Sequence, residues 1–357
     1  MAGLAHEASA QDANSVTVGS TIVTVGGGFQ ALQLPDMDFT FLVNKQGNTD
    51  RKQTNDSFDE TGGVISGTIE TPFGHLGSTP VTGVISGFFA NVSDGDRKSC
   101  TSTAGATCLA EDIVDSPGDD SIGYASFVTK TDRDVDFWGA SGEARFGQRP
   151  APLPDSGGYL FRFGYVGVGA DVRGIDQDNR LKLTPASTSP IPGGGGSSPP
   201  IKYTETLDTT YSGGFLSIGG EYNILGYLGM GGSNWGLRSF VTVKGGVYNA
   251  DTDYSGKFTP AGGPSTRLSL SDDETTFIGS LSFETRKQFG PRTSLSLLTD
   301  YEWFSYAPQM KYLDTDPPAL GKVNVTHIAD DDAFAVRTQL RLNIGLGSSQ
   351  LYQEPLR

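Results

Sequence analysis

Three histidines are the first side chains to weigh as catalytic groups, because imidazole can act as a general base near neutral pH. His6 lies in the N-terminal leader, His75 in a predicted short turn, and His327 in the last long connection, close to Asp330. Only His327 lies where a serine-dependent lipid enzyme could place its site. The sequence has no nucleophile-elbow, zinc-protease, phosphate-loop or dinucleotide motif. We therefore predict that the protein is not an enzyme, with a His327-dependent lipid enzyme as an alternative.

Three alternating aspartates could bind a divalent cation. Asp132, Asp134 and Asp136 have the spacing with which a calcium loop begins, although the turn glycine and the terminal glutamate of that motif are missing. The chain carries 41 acidic against 26 basic residues, a formal charge of −15. That charge argues against nucleic acid as a partner, because phosphate binding needs basic patches. We keep weak Ca²⁺ or Mg²⁺ binding as a hypothesis and otherwise expect no cofactor.

The two cysteines, Cys100 and Cys108, are separated by seven residues in a stretch rich in Gly, Ser, Thr and Asp. In an exported chain, two cysteines at this spacing predict one local disulfide. A metal pair is less favoured, since no histidine or further cysteine lies nearby. The disulfide would hold a loop tip.

The last strand-like segment, residues 334–346, indicates which architecture positions these candidate side chains. Phe334, Val336, Leu340, Leu342 and Ile344 fall on one face, whereas the other face carries two arginines. Successive side chains of a strand point to opposite sides. A strand in the wall of a lipid-facing barrel needs one apolar and one polar face along its length. Only 36% of the residues are hydrophobic, which excludes a helical membrane protein.

About ten segments share this pattern, so the sequence predicts ten to twelve strands. They are residues 16–31, 62–74, 81–92, 135–147, 159–172, 209–223, 237–248, 274–286, 293–306 and 333–346, with less regular extras at 37–43, 122–129 and 321–327. Short links alternate with long connections at residues 32–61, 93–134, 173–207, 249–273 and 307–332. Short periplasmic turns and long extracellular loops are typical of an all-β, up-and-down antiparallel transmembrane barrel. Segments 159–172 and 81–92 are apolar on both faces, which fits an oligomer interface or a plugged lumen.

The polar faces of the predicted strands give a set of charged lumen residues of both signs: Glu143, Arg145, Arg162, Glu221, Arg238, Lys244, Glu284, Arg286, Asp300, Glu302, Arg337 and Arg341. Charges inside a narrow barrel must be paired or hydrated. The lumen could therefore be a plug of ion pairs or a thin pore, since rings of charge also select ions. Aromatic residues near the predicted strand ends form a candidate membrane girdle: Trp138, Phe146, Tyr222, Trp235, Trp303 and Tyr306.

The final segment resembles the C-terminal strand of Gram-negative outer-membrane barrels, although the usual terminal aromatic residue is replaced by a tail at residues 347–357. Residues 1–10 resemble the end of a signal peptide, with Ala8-Ser9-Ala10 as an export-cleavage pattern. Residues 11–346 would then form a single barrel domain.

The porin-like resemblance implies passive diffusion of small hydrophilic solutes or ions through the outer membrane. It also implies contact with lipid, lipopolysaccharide and the barrel-assembly machinery, and allows homo-oligomers. The alternatives are a closed barrel that acts through its acidic loops, and a soluble secreted β protein.

Overall fold

The computed structural model describes residues 21–35, 40–45, 48–53, 59–101, 106–110, 122–124, 126–147, 161–185, 200–222, 237–259, 264–290, 292–311 and 327–346. Within them lie fourteen strands: β1 (Thr21–Gln33), β2 (Thr40–Lys45), β3 (Asn48–Gln53), β4 (Asp59–Leu76), β5 (Thr79–Thr101), β6 (Ala106–Ala110), β7 (Ile122–Tyr124), β8 (Ser126–Gly147), β9 (Phe161–Pro185), β10 (Ile201–Tyr222), β11 (Leu237–Thr259), β12 (Thr266–Gly290), β13 (Thr293–Lys311) and β14 (His327–Leu346). No helix in this part of the chain is long and apolar enough to cross a membrane.

Ten of these strands close into one antiparallel barrel, in the order β1-β14-β13-β12-β11-β10-β9-β8-β5-β4. The ring is completed by β1, which pairs with β14 on one side and with β4 on the other. Neighbouring barrel strands also follow one another along the chain, so the topology is up-and-down. The predicted architecture is confirmed, with the lower of the two expected strand numbers. The short strands β2, β3, β6 and β7 form a separate sheet from the first two long connections.

The polarity of the barrel's two faces is reversed between the two ends of the strands. Toward the short links, in the membrane half (residues 137–147 of β8, for example), apolar side chains point outward, and Leu216 and Ile65 are each 65% exposed. Toward the long connections, in the outer half (residues 126–136 of β8), the inward face is the apolar one, with Tyr203 and Leu207 buried. A belt of exposed apolar side chains is favourable in hydrocarbon and unfavourable in water. The membrane half therefore spans the bilayer, with roughly ten residues per strand.

The outer half corrects the predicted long connections. β9 continues to Pro185 and β10 begins at Ile201, inside a stretch that the sequence assigned to a loop at 173–207. In the same way β5 and β8 extend into 93–134, β11 and β12 into 249–273, and β13 and β14 into 307–332. Barrel strands 18 to 25 residues long, such as β4 and β9, are longer than a bilayer requires. The barrel therefore projects beyond the membrane.

A β-bulge explains why the segment at 159–172 is apolar on both faces. In the pairing of β9 with β10, Gly219 lies opposite Tyr165 and Gly220 opposite Phe163, so Gly164 has no partner of its own. An extra residue on one strand reverses the alternation beyond it. Phe161 and Phe163 therefore point outward before the bulge, whereas Val166 and Val168 do so after it.

Candidate functional site

An apolar layer crosses the lumen where the two halves of the barrel meet. All ten barrel strands contribute a buried side chain to it, from Leu32 of β1 to Ala335 of β14. Its other members are Leu34, Val64, Ala90, Val92, Val135, Phe137, Ile175, Tyr211, Tyr248, Ala250, Ile278, Phe304, Tyr306, Ala307 and Ala333, with Phe88 packed against them. Because every strand takes part, the layer runs around the whole inner wall of the barrel.

Aromatic rings in this layer meet from opposite walls. The ring centroids of Phe137 and Phe304 are 5.9 Å apart with an interplanar angle of 71°, although β8 and β13 are five positions apart in the ring of ten strands. Tyr211 of β10 lies 5.4 Å from Phe304, centroid to centroid, and its hydroxyl donates to the Tyr306 carbonyl at 3.1 Å. Edge-to-face pairs at such distances are favourable by about 1 kcal/mol beyond their burial. These contacts bridge the lumen along its diameter.

Phe88 of β5 extends the layer and connects it to the charges below. Its ring lies 4.8 Å from that of Phe137, and the Arg337 guanidinium carbon stands 3.8 Å above the Phe88 ring centroid. The cross-strand neighbour of Phe88 is Gly139. A Cβ at position 139 would come within 2.6 Å of the Phe88 ring, so glycine is needed there for the ring to lie flat against the wall.

A network of buried ion pairs lies directly beneath the apolar layer. Arg173 of β9 is 2.8 Å from Asp171 and 2.8 Å from Glu302 of β13. Arg337 of β14 donates to the same Glu302 at 2.7 Å and lies 3.9 Å from Asp300. The Arg173–Glu302 contact spans four positions of the strand ring. Charges taken out of water require such partners, so the network further fills the membrane half of the lumen.

Closer to the short links, the charges are paired within smaller groups. Glu143 accepts from Arg145 at 2.9 Å and from the Ser217 hydroxyl, and the Lys244 ammonium lies 3.8 Å away. Two further pairs join Arg238 to Glu221 at 3.0 Å and Arg286 to Glu284 at 2.6 Å. Arg162 is the cross-strand neighbour of Glu221, and Arg341 donates to Thr68 at 2.8 Å. All twelve charged residues assigned to the lumen from sequence thus lie on the inward face.

Sequence reasoning missed Asp171 and Arg173, because Arg173 was assigned to a long connection and Asp171 lies beyond the undetected bulge. The charged side chains on the inward face surround a cavity of about 200 Å³ in the membrane half. Glu70, Arg145 and Arg286 line its short-link side, and Arg337 lines the side toward the apolar layer. The cavity is therefore a vestibule of mixed charge that ends at the apolar layer.

A second polar cluster lies inside the outer half, on the far side of the apolar layer. Arg133 donates to Glu60 at 2.7 Å, to Asn179 at 3.1 Å and to the Pro35 carbonyl at 3.0 Å. Asn179 in turn donates to Glu205 at 2.8 Å. Burial raises the pKa of Glu60 above its usual value despite the neighbouring Arg133 charge. These contacts tie β4, β8, β9 and β10 together and fill the outer half with side chains.

Three of the predicted girdle residues make outer-surface contacts. Trp138 packs over Gly174, where a Cβ would come within 2.3 Å of the indole, and its Nε1 donates to Asp176 at 3.2 Å. Trp303 packs on Phe277 and Tyr222 on Phe283, with centroids 5.8 Å and 6.1 Å apart. Such aromatics mark the two edges of a membrane-spanning belt.

The other three girdle predictions have different outcomes. Phe146 lies near the short-link end of β8, opposite Val81. Tyr306 is not a girdle residue: it is buried inside the barrel, and its hydroxyl donates to Asp272 at 3.1 Å. The reason is that Tyr306 alternates with Glu302 and Phe304 along β13 and therefore shares their inward face. Trp235 lies outside the described residues.

The aspartates of the calcium hypothesis lie in a line along the outer surface of β8. Asp132 binds Lys130 at 2.6 Å, Asp136 accepts from Asn91 at 2.7 Å, and Asp134 lies 3.7 Å from Arg180. Side chains two residues apart on a strand are separated by about 6.6 Å, so the three carboxylates do not converge on one point. The described residues contain no group of three or more His, Cys, Asp or Glu that could hold a metal ion. The geometry gives the calcium site no support, and it stays a prediction.

The two cysteines and His327 lie in described strands. Cys100 lies in β5 and Cys108 in β6; their side chains fall outside the described residues, so the disulfide stays a prediction. His327 begins β14, opposite Lys311 of β13. The leader and the tail, residues 1–20 and 347–357, lie outside the described residues as well.

No family model matches the chain, and no curated protein matches it. Among solved structures it is similar to the outer membrane protease OmpT from Escherichia coli, at 10% identity, covering 92% of this chain and 98% of that one, with a TM-score of 0.48. A Pseudomonas aeruginosa FadL homologue is 7% identical over 91% and 90% of the two chains, with a TM-score of 0.25. OmpF from Salmonella typhi is 8% identical over 91% and 98%, with a TM-score of 0.14.

These solved structures are outer-membrane β-barrel proteins. At such identities and TM-scores they carry no argument about what this chain does. Its own strand order and exposed apolar belt establish the architecture. The chain is a ten-stranded, up-and-down transmembrane β-barrel.

Proposed function

We propose that the protein is a closed outer-membrane barrel that acts through the part projecting from the membrane. The supporting observation is the contact of Phe137 with Phe304, whose rings meet from opposite walls at 5.9 Å. A solute entering the vestibule would have to pass this layer and then the buried Arg133 cluster. This is the closed-barrel alternative of the sequence analysis, and passive diffusion is the less favoured function.

Placement in the outer membrane is part of the proposal. The barrel offers hydrocarbon a belt of roughly ten residues per strand, edged by aromatic side chains such as Trp138 and Trp303. Short turns would face the periplasm and the outer half would face the exterior, as in up-and-down barrels generally. Lipid and lipopolysaccharide would surround the membrane half, and assembly machinery would insert it. The protein would have no enzymatic activity.

Single-channel recording of the refolded protein in a planar bilayer tests the proposal. We expect no conductance steps from wild-type protein that is shown to be folded by its heat-modifiable migration on gels. The double variant Phe137→Ala/Phe304→Ala should conduct, because it removes both rings that meet across the lumen. Phe277→Ala is the matched control, since it removes an outward-facing ring of the same size, 41% exposed, and should stay silent.

Reproducible steps from the wild type would contradict the closed barrel and favour passive diffusion. In that case Arg337→Gln should change the ion selectivity, because Arg337 lines the vestibule next to the apolar layer. Unchanged selectivity would indicate a conduction path that avoids the vestibule.

A further inference from the structure

Basic side chains form a row around the outside of the outer half. The register places Arg97 of β5 opposite Lys130 of β8, Lys130 opposite Lys182 of β9, and Lys182 opposite Lys202 of β10. All four side chains are exposed. Adjacent strands are about 4.8 Å apart, so the row presents one positive charge per strand over four neighbouring strands.

A second basic row lies two residues closer to the membrane. Arg180 of β9 lies opposite Thr204 of β10, Thr204 opposite Lys257 of β11, and Lys257 opposite Arg267 of β12. We call the seven cations of the two rows the basic band: Arg97, Lys130, Arg180, Lys182, Lys202, Lys257 and Arg267. The whole chain has a charge of −15, so the band is a local reversal of the protein's overall charge.

The basic band is unfavourable for the isolated protein. Like charges directly opposite each other on neighbouring strands destabilise a sheet. Ion pairs described for the band involve Lys130, which binds Asp132 at 2.6 Å, and Arg180, which lies 3.7 Å from Asp134 and 3.9 Å from Asp178. These pairs are exposed, and exposed pairs contribute little. A ligand carrying regularly spaced negative charges would relieve the repulsion along the row.

The height of the band excludes phospholipid headgroups as its natural ligand. Lys130 is eight residues beyond the girdle residue Trp138 along β8. At 3.3 Å per residue and a tilt near 40°, this places it about 20 Å above the girdle. The headgroup region of one leaflet is only roughly 5–8 Å thick. The ligand must therefore extend well above the bilayer surface.

A second copy of the chain is also a poor occupant. Two barrels in one membrane have the same orientation, so a symmetric contact brings equal heights together. The basic rows would then face basic rows. The acidic row below, in which Asp176 lies opposite both Asp136 and Asp208, would face its own copy. Both contacts are repulsive.

We propose that the basic band binds a linear anionic polysaccharide above the membrane surface. One cation per strand along an extended row suits a polymer with a negative group on successive sugar units. The inference rests on the proposed function for its orientation, with the outer half outside the cell. It does not depend on whether the lumen is closed.

Binding of dextran sulfate to the detergent-solubilised full chain tests the inference, with uncharged dextran of equal length as the reference polymer. We expect saturable binding of dextran sulfate that weakens with added salt, and none of dextran. Lys182→Gln/Lys202→Gln should reduce the affinity on the order of tenfold, because it removes two adjacent charges of the row. Lys287→Gln/Arg292→Gln is the matched control. It removes two exposed charges at the short-link end and should leave the affinity unchanged.

Three results would overturn the inference. They are no binding of dextran sulfate, equal affinity loss in the two double variants, and binding of phosphatidylglycerol vesicles in place of dextran sulfate. The third would assign the band to lipid. None of these results concerns conductance. Conductance steps in the planar bilayer would refute the closed lumen without contradicting the polysaccharide site. The two proposals can therefore be refuted independently.

Discussion

A row of carboxylates directly above the membrane belt shows how single residues set the stability of the outer half. Asp208 of β10 lies opposite Asp176 of β9 on one side and Asp253 of β11 on the other. Partial burial, and then the charges of Asp176, Asp178 and Asp253, raise the pKa of Asp208 above its usual value. The folded protein therefore binds the proton of Asp208 more tightly than the unfolded chain does. The ionised side chain costs folding free energy, and this cost develops as the pH rises through the raised pKa.

Asp208→Asn is expected to increase the free energy of unfolding at pH 7 by about 0.5–1 kcal/mol, the usual scale for exposed cross-strand pairs. At pH 3, where the carboxyl is protonated in both states, the gain should vanish. Urea unfolding of the barrel in lipid vesicles, followed by tryptophan fluorescence, measures both values. Thr204→Asn is the control, because it places the same amide on the same exposed face of β10. A gain that persists at pH 3 would show that charge is not its cause.

At the scale of the strand, β10 shows what the sequence predicts and where prediction stops. The pattern in residues 209–223 predicts a lipid-facing strand, and β10 contains this segment up to Tyr222, the last described residue of the strand. The strand also runs back to Ile201, with Tyr203, Leu207 and Tyr211 buried inward. Period-two alternation is present there too, but the apolar face is the opposite one. Outward threonines and charges are typical of a loop if one polarity is expected along the whole strand, so this stretch differs from a lipid-facing pattern.

Bulges are the other element-scale feature that alternation alone does not reveal. The register shift in β13 places Ala307 on the inward face directly after Tyr306, so two consecutive side chains are buried. The bulge at Gly164 joined two apolar faces into one outward belt, from Phe161 and Phe163 to Val166. The charged residues assigned to the lumen from sequence lie on the inward face because each belongs to a part of its strand in which the alternation is regular, clear of the register shifts. Their partners across the lumen depend on the order of strands around the ring, which no local pattern contains.

Deleting Gly164 is expected to change the free energy of unfolding by less than about 1 kcal/mol. Phe163 and Tyr165 already lie opposite consecutive residues of β10, so without the extra glycine they alternate regularly and residues 161–163 keep their facing. Deleting Gly245 from β11, which pairs with both neighbours without a register shift, is the contrasting variant. It reverses the facing of one part of the strand and should destabilise the barrel by on the order of 2 kcal/mol or more. Urea unfolding in lipid vesicles and heat-modifiable gel migration measure both changes, and equal effects would show that the extra residue does not set the facing of β9.

At the scale of the whole molecule, the single barrel consists of two parts that follow one another along its axis and differ in which face is polar. The membrane half is apolar outside and polar inside, whereas the outer half is polar outside and contains buried apolar side chains around the Arg133 cluster. The apolar layer around Phe137 and Phe304 is the place where the two arrangements overlap. The buried Arg133–Glu60 pair then holds the outer half together without help from lipid. An outer half built in this way should behave as folded protein, whereas long loops of the same composition would not.

Trypsin digestion distinguishes a folded outer half from long loops. Trypsin cuts after Lys and Arg only where the backbone can unfold locally and leave its strand. Lys130, Arg180, Lys182, Lys202 and Lys257 are exposed yet lie within barrel strands. We expect no cleavage at these five positions in the folded protein in proteoliposomes, analysed by mass spectrometry of the peptides. Heat-denatured protein, in which the strands are lost, should be cut at all five.

The variant Arg133→Met tests whether the buried Arg133–Glu60 pair is responsible for this protection from trypsin. Removing Arg133 leaves Glu60 buried without its cation, which costs about 3–5 kcal/mol in a buried pair. The opening free energy of the outer half falls by that amount, and cleavage after Lys130, Arg180 and Lys182 should accelerate by at least a hundredfold. Arg267→Met removes an exposed guanidinium and should leave protection intact. Rapid cleavage of the folded wild type at these sites would mean that the outer half opens readily, and that the long connections are better described as loops.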